Sequence, residues 1–421
     1  MEFSKAVEYL YSLIDYERKK GYVESLDPFF EFLGTFGNPH LKLRNPILIV
    51  GTKGKGSTAH LIAGGLLSQG FKVGLYTSPH LVDIRERIKI NGEKISETKF
   101  ANFIEQIKPF IEGKRGIRTV FETLTLMAFL YFLEENVDYT VLEAGLGGRL
   151  DATNSANQIL TVITNISYDH MEILGERITQ IAREKAAVIK NANPVIVASQ
   201  HPQVHKTIRN VSEKFCAPLY PLNKYVRYHL AEATLEKTVI KYRGLSEEKI
   251  LTLNQGGSFQ ARNMALSALA LEVLGFRSFD FNRVKIEGRF EILSKKPLII
   301  VDGAHNVASI KNFIASVHKL IGMDCTFVFG INSDKEVEKI VQEIVKSNPA
   351  FVILTRSKSP RAMTPEGLAK IFTEKGFTRF STAENSDAAL RIALSRGDRI
   401  LVFGSFYLAG EIKELFQKQI L

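Results

Sequence analysis

Two hydrophobic periods alternate along most of this chain. Short apolar runs bounded by turn residues occupy Pro46–Val50, Lys72–Tyr76, Asp138–Glu143, Ile159–Thr164 and Pro194–Ala198, and each predicts a buried strand. Between them apolar residues recur at helical spacing over His60–Leu67, 97–111, 121–135, about 176–190 and 259–275. Phe3, Val7, Leu10, Leu13 and Ile14 predict an N-terminal helix over 3–18, and Asp27-Pro28 marks a second helix start before Phe29, Phe30, Phe32 and Leu33. Arg87–Ile95 alternates about Asn91-Gly92, a hairpin signal. From about 218 to 253 the alternation is rich in Tyr, Val, Ile and Thr, which predicts an antiparallel segment. Ser294-Lys295-Lys296-Pro297 is the expected linker. Beyond it, strands predicted at 298–302, 325–330, 350–355, 378–382 and 399–404 alternate with helices, one of them starting at Thr364-Pro365-Glu366. Such alternation implies a mostly parallel sheet with right-handed crossovers.

Composition narrows the class. A chain of 421 residues is long enough for more than one core. Its 45% hydrophobic and 24% charged residues are ordinary for a soluble globular protein. No apolar run approaches the ~18 residues that span a bilayer, and the N-terminus mixes charges early, so the cytoplasm is the expected compartment with no membrane partner. Cys216 and Cys325 lie in unrelated segments, which argues against a disulfide framework or a cysteine zinc site. The net charge of +10 is dispersed, without a basic arm or a nucleic-acid-binding motif. A basic enzyme with anionic small-molecule ligands, and no nucleic-acid partner, accounts for it.

The stretch Gly51-Thr52-Lys53-Gly54-Lys55-Gly56-Ser57-Thr58 sits between a predicted strand and a predicted helix. Glycines let backbone N–H groups face an anion, the helix N-terminus adds its dipole, and a lysine reaches outer phosphates. The spacing departs from the common G-x-x-x-x-G-K-[ST] because Gly56 separates Lys55 from Ser57. The expected fold is therefore α/β. An N-terminal P-loop domain over 1–294 carries a mostly parallel sheet plus a small antiparallel segment, and a C-terminal Rossmann-like α/β domain covers 298–421. The C-terminal half lacks G-x-G-x-x-G after its first strand, which argues against a dinucleotide site there.

Other candidates carry two readings each. Glu143 ends a strand before Gly145-Leu146-Gly147-Gly148-Arg149, where a carboxylate either holds Mg²⁺ or is a solvated loop acid. His170 follows a strand through Asn165; it is either functional or an exposed imidazole. Lys185, four residues after Ile181 and beside Arg183 and Glu184, looks like a surface helix lysine. Arg289, near the linker, either reaches phosphates or makes an interdomain salt bridge, and Asn263 caps, pairs locally or contacts a base.

Taken in order, GTKGKGST (51–58), YTSPHLVDIRERI (76–88), FETLT (121–125), EAGLGGRLDATN (143–154), NISYDHMEILG (165–175), AREKAAVIK (182–190), FQARN (259–263), EGRFE (287–291) and DGAHN (302–306) resemble folylpolyglutamate synthase and dihydrofolate synthase of the Mur ligase superfamily. The resemblance spans nearly the whole chain. It implies ATP-dependent addition of L-glutamate to a folate carboxylate through an acyl phosphate. The alternatives are a bifunctional enzyme that also makes dihydrofolate from dihydropteroate, another P-loop phosphotransferase or Mur-type ligase, and a nucleotide-regulated binding module. The first strand at Pro46 leaves no room for the separate N-terminal substrate domain common in Mur-type ligases.

By the same resemblance Gly54, Lys55, Gly56 and Ser57 hold ATP phosphates, and Asn263, Arg289 and Asp302 are further ATP contacts. Ser78, Glu143 and His170 match Mg²⁺ ligands, with two metal sites expected. Lys185 matches a lysine that the family carbamylates, and joins Lys55 and His305 as the catalytic set. Thr119, Val120, Phe121, Glu122, Leu150, Asp151 and Ala152 match the pterin-substrate region, and His305 and Ser405 the glutamate side. Lys53 stands where the family often has asparagine, and Val307 where proline is frequent. A monomer whose domains close about 294–297 is expected.

Overall fold

The computed structural model describes residues 1–15, 24–112, 118–198 and 200–420. The N-terminal sheet has eight strands: β1 (Pro46–Val50), β2 (Val73–Tyr76), β3 (Ile88–Ile90), β4 (Glu93–Lys94), β5 (Tyr139–Glu143), β6 (Leu160–Ile163), β7 (Val195–Val197) and β8 (Leu219–Pro221), in the order β4-β3-β2-β5-β1-β6-β7-β8. The neighbours β2-β5-β1-β6-β7-β8 run parallel, and β3 pairs antiparallel with both β2 and β4. β1 is central, and its alternation shows why. Leu48 and Val50 enter one core with Phe100, Leu124 and Phe129, while Ile47 and Ile49 enter another with Leu61, Ile62, Met264 and Leu269. A strand covered on both faces must be apolar throughout, as this one is.

β9 (Arg227–Ala233), β10 (Thr238–Arg243) and β11 (Lys249–Leu253) form the expected antiparallel segment. Ile240, Tyr242, Leu251 and Leu253 pack its inner face on the helix Gln260–Val273. The C-terminal sheet contains β12 (Glu291–Lys295), β13 (Leu298–Val301), β14 (Thr326–Phe329), β15 (Phe351–Leu354), β16 (Phe380–Thr382) and β17 (Arg399–Phe403), ordered β12-β13-β17-β14-β15-β16. It is parallel except for the edge strand β12.

Two expectations need correction. Ser294–Pro297 is not a linker: Ser294 and Lys295 pair with β13, and Lys296-Pro297 turns the hairpin. Its lysines suit an edge strand, which natural sheets keep polar. The chain crosses between cores earlier, because Ile286 belongs to the N-terminal core and Phe290 to the C-terminal one. The first helix covers Phe3–Tyr11 rather than 3–18. Ile14 bridges to Thr119 instead, and 16–18 lie outside the described residues. Among the described residues no helix is long and apolar enough to cross a membrane.

Candidate active site

The C-terminal ends of the two parallel sheets face one cavity of about 960 Å³, lined from both halves of the chain. Open α/β sheets present ligand sites at such ends. Every site residue proposed above lines it, from Gly54–Ser57 through Ser78, Thr119–Glu122, Glu143, Leu150–Ala152, His170 and Lys185 to Asn263, Arg289, Asp302, His305 and Ser405.

The phosphate loop leaves β1 and enters the helix Lys55–Ser68 through Gly54, whose φ of 83° only glycine adopts without strain. No side chain caps this helix. The first i→i−4 bond runs from the N–H of Thr58 to the carbonyl of Gly54, so the N–H groups of Lys55, Gly56 and Ser57 precede it. A Cβ on Gly54 would lie 2.6 Å from Asn263 Oδ1, and one on Gly56 would lie 3.2 Å from a Glu143 oxygen. The loop is thus sandwiched between an amide and a carboxylate. Lys53 packs deeper than a rim residue. Burial lowers its pKa to about 8, against the pull of Asp169 and Glu336.

Beside the loop, Glu143 is buried at the end of β5 and accepts the Ser78 N–H at 3.0 Å. Burial raises its pKa, opposed chiefly by Lys55. Among the described residues no three His, Cys, Asp or Glu side chains converge into a preformed metal cage. A buried carboxylate next to a hydroxyl residue and a phosphate loop nevertheless suits Mg²⁺, which takes few protein oxygens and completes its shell with phosphate and water.

Lys185 is not a surface lysine. It is buried and donates to the carbonyls of Gly51 (2.9 Å) and Gly147 (3.4 Å). Burial, then the charge of Lys55, brings its pKa to about 7. His170 adopts φ 49° and its side chain is 41% exposed; partial desolvation in the cavity wall lowers its pKa, although Asp169 opposes this.

Two residues escaped the sequence reading. Lys335, in the loop after β14, reaches across the cavity to Asp169 at 3.4 Å, and both side chains are 13% exposed. The signal for Lys335 was its place at the carboxyl end of a parallel strand. Asp169 was visible only as the neighbour of His170.

The C-terminal half supplies the opposite wall. Asp302 immediately follows β13 and accepts from the N–H groups of Phe290 (2.8 Å) and Ala304 (2.7 Å), which ties the strand end to the crossing. Burial lowers the pKa of Arg289, which stacks its guanidinium 4.2 Å over the Phe406 ring. His305 Nδ1 lies 2.7 Å from the Gly303 carbonyl. A carbonyl only accepts, so Nδ1 carries the proton and Nε2 is left as an acceptor. Burial takes the His305 pKa to about 4, which makes the ring neutral at pH 7. Ser405 is buried and its Oγ accepts the N–H of Tyr407 at 3.1 Å.

In the region assigned to pterin, several residues are committed to the fold. Thr119 and Glu122 close a reciprocal cap, at 3.0 and 2.9 Å, on the helix Val120–Glu134. Asp151 accepts from Leu146 N–H (2.9 Å), Thr153 N–H (3.0 Å) and the Thr153 hydroxyl (2.5 Å). Val120 and Ala152 are buried, while Phe121 and Leu150 are only half-buried and offer the apolar contact surface.

Residues 49–271 match the Mur ligase middle domain, and residues 288–406 match the Mur ligase glutamate ligase domain. The dihydrofolate synthase/folylpolyglutamate synthase of Bacillus subtilis is 31% identical over 407 residues, covering 91% of this chain and 93% of the relative. The chain belongs to the folylpolyglutamate and dihydrofolate synthase family of Mur ligases. A solved Mycobacterium tuberculosis folylpolyglutamate synthase complexed with ADP superposes with a TM-score of 0.88 at 29% identity, covering 98% of each chain. The Escherichia coli FolC complex with DHPP and ADP gives 0.85 at 25% identity, covering 100% of this chain and 99% of that one. In this synthase-family chain the second matched segment begins at 288, where the chain crosses between the two cores, and the cavity is lined by residues of both segments.

Proposed function

We propose that this protein is an ATP-dependent ligase that adds L-glutamate to the γ-carboxyl of the glutamates of (tetrahydro)folate, releasing ADP and phosphate. One observation carries the reading: a phosphate loop, an acid-and-lysine wall, an apolar slot and a second domain's basic and imidazole groups share one cavity. The relatives with ADP and with DHPP support nucleotide and pterin ligands in it.

A carboxylate is a poor acyl donor until its oxygen becomes a good leaving group, and phosphorylation provides that. Three anionic groups must then meet, so most of the work is positioning and charge stabilisation. Lys55 and the N–H groups of Lys55, Gly56 and Ser57 would cradle the phosphates, and Arg289 would approach them from the other domain. Asn263 and Asp302 would hold the rest of the nucleotide, while Phe121 and Leu150 flank the pterin. Neutral His305 would orient the incoming amine through Nε2, beside Ser405. Ser78, Glu143 and His170 would hold Mg²⁺, with a carbamylated Lys185 serving a second ion, and the metal would neutralise phosphate charge. The near-neutral pKa of Lys185 supports this, because only an uncharged amine adds CO₂. We place the domain boundary at 287–289 and the protein in the cytoplasm as a monomer, without nucleic-acid or membrane partners. Its dispersed charge favours small anionic substrates.

A second reading, in which the enzyme also makes dihydrofolate from dihydropteroate, is favoured by the double name of the Bacillus relative. Incubation with Mg·ATP, L-glutamate and either tetrahydrofolate or dihydropteroate, with product masses measured, decides between them. One added glutamate on tetrahydrofolate alone supports the single activity, and addition to both supports the double one. ATP consumption at full rate on folate alone, with no effect of glutamate, would sink the ligase reading.

A further inference from the structure

The loop between β2 and β3 belongs to the N-terminal half, yet one of its residues is built into the other domain. Leu81 is buried within the C-terminal cluster that contains Val301, Leu408, Ala409 and Ile412. The approach is backbone on backbone. A Cβ on Gly410, within the helix Phe406–Ile420, would lie 1.9 Å from the Leu81 carbonyl oxygen. Gly288, in the crossing, closes the other side: its Cβ would lie 3.0 Å from Leu81 Cδ1.

The loop is stiff where it makes this contact. The Glu86 carboxylate accepts the N–H of Leu81 at 2.7 Å, of Asp83 at 2.9 Å and of Val82 at 3.2 Å. Three residues before Leu81, the N–H of Ser78 is fixed on Glu143. A rigid path therefore runs from the C-terminal helix through Leu81 to the acid wall beside the phosphate loop. A second, electrostatic contact lies alongside it. Glu287 pairs with Lys89 of β3 at 3.4 Å and with Lys413 of the C-terminal helix at 3.2 Å, and Lys413 also pairs with Glu291 at 2.7 Å. Apolar seat and ion pairs flank the crossing at 287–289, where Arg289 leaves toward the cavity.

We propose that Leu81, seated against Gly410, is a positioning residue: it is the pivot that registers the C-terminal domain on the Ser78–Glu143 wall, so that Arg289 and Asp302 reach a nucleotide held by the phosphate loop. The proposal rests on the ligase reading for its kinetic consequence, but its mechanical consequence stands without it. Leu81 touches no substrate in this scheme and acts through the relative placement of the two walls.

The test compares Leu81→Ala with Leu81→Met, which refills the seat. Glutamate-dependent ADP release gives kcat, calorimetry gives ADP affinity, and trypsin probes the connection at Arg289 in the ligand-free protein. Leu81→Ala is expected to lower kcat by roughly 10- to 100-fold and to weaken ADP binding, through Arg289 and Asp302, by a clearly smaller factor, because misplacement of reacting groups costs rate before binding. Cleavage at Arg289 should accelerate, and Leu81→Met should recover both readouts. If Leu81→Ala does not fold, Leu81→Val, which removes one methylene, is measured in its place and should show the same split. Wild-type kcat and wild-type cleavage in a folded variant overturn the pivot, as does an equal loss of kcat and ADP affinity that Leu81→Met fails to restore. A wild-type enzyme without glutamate-dependent turnover refutes the ligase reading instead, and the cleavage rates still decide the pivot.

Discussion

Gly54→Ala tests whether the phosphate loop is a nucleotide site whose shape depends on Asn263. Two costs follow from the geometry. Residue 54 sits at φ 83°, where an alanine is less stable than glycine by about 1 kcal/mol. In the alanine variant the unliganded loop would relax out of this conformation, and nucleotide binding would have to restore it. The new Cβ would also lie 2.6 Å from Asn263 Oδ1, which displaces the amide and forfeits a contact worth about 1 kcal/mol. Together, about 2 kcal/mol corresponds to a roughly 30-fold weaker ADP complex. Asn263→Ala alone loses only the contact, about fivefold.

The double variant is the discriminating case. Without the amide there is room for the Cβ, and the lost contact is counted once. The double variant should therefore bind ADP about 30-fold more weakly than wild type, not the roughly 150-fold that independent effects would give. Calorimetric titration of the four proteins, with melting temperatures as a control, reads this coupling. Strict additivity, or unchanged ADP affinity in Gly54→Ala, refutes the reasoning. Gly51→Ala supplies a contrast: its Cβ would lie 1.9 Å from Thr164 Oγ1 and 3.2 Å from the Thr164 backbone nitrogen, so it should lower the melting temperature rather than select against ADP.

Other substitutions address single groups. With a pKa of about 7, the Lys185 amine at pH 8 is roughly nine-tenths neutral, against ~0.3% for an unperturbed lysine, and its reactive fraction grows as pH rises through 7. Lys185→Ala should lose most turnover and recover part of it with a short-chain carboxylic acid; full activity without rescue removes the carbamate role. Glu143→Gln should abolish the gain in ADP affinity that Mg²⁺ confers, measured with and without chelator, and an undiminished gain excludes Glu143 as a ligand. Far from the cavity, Glu272 is buried and accepts from Tyr242 Oη (2.8 Å), Leu245 N–H (2.7 Å), Ser246 and Lys249 (3.1 Å). Burial raises its pKa, but hydrogen bonds from Ser246, Leu245 and Lys249 outweigh this and hold it below the usual carboxylate range. Its contribution is thus complete above the unfolded-state pKa and disappears as pH falls through the lower folded-state value. Glu272→Ala should cost about 3 kcal/mol in urea unfolding at pH 7, with the difference from wild type shrinking in acid; a cost near zero at pH 7 would contradict it.

What periodicity can and cannot convey is visible in single residues. β1, the loop after it and the helix Lys55–Ser68 are contiguous, so strand, glycines and helix were all readable from one stretch. Lys185 was not, because its local surroundings, Arg183 and Glu184, are those of a solvated face. Its burial comes from the carbonyls of Gly51 and Gly147, 134 and 38 residues away in the chain. Ser294–Pro297 failed for a related reason. A polar stretch ending in proline describes a linker and an edge hairpin equally well, and only its pairing with β13 distinguishes them.

The acids of the cavity show a subtler limit. Resemblance placed Glu122 and Asp151 with the pterin region, and both line the cavity. Their oxygens nonetheless accept from Thr119, Leu146 and Thr153, so any substrate contact they make competes with a cap or a turn. Neutralising them should damage the loops first and specificity second. Leu81 presents the opposite case. In Ser78-Pro79-His80-Leu81-Val82-Asp83 the apolar pair Leu81-Val82 satisfies neither a strand nor a helix period, and of the two only Leu81 is buried, in the core of the other domain. Its hydrophobicity is accounted for by the cluster of Val301, Leu408, Ala409 and Ile412, which arrives some 220 and more residues later in the chain. An apolar residue that breaks the local period is therefore a sequence-level sign of docking between domains, and here it sits three positions from a proposed metal ligand.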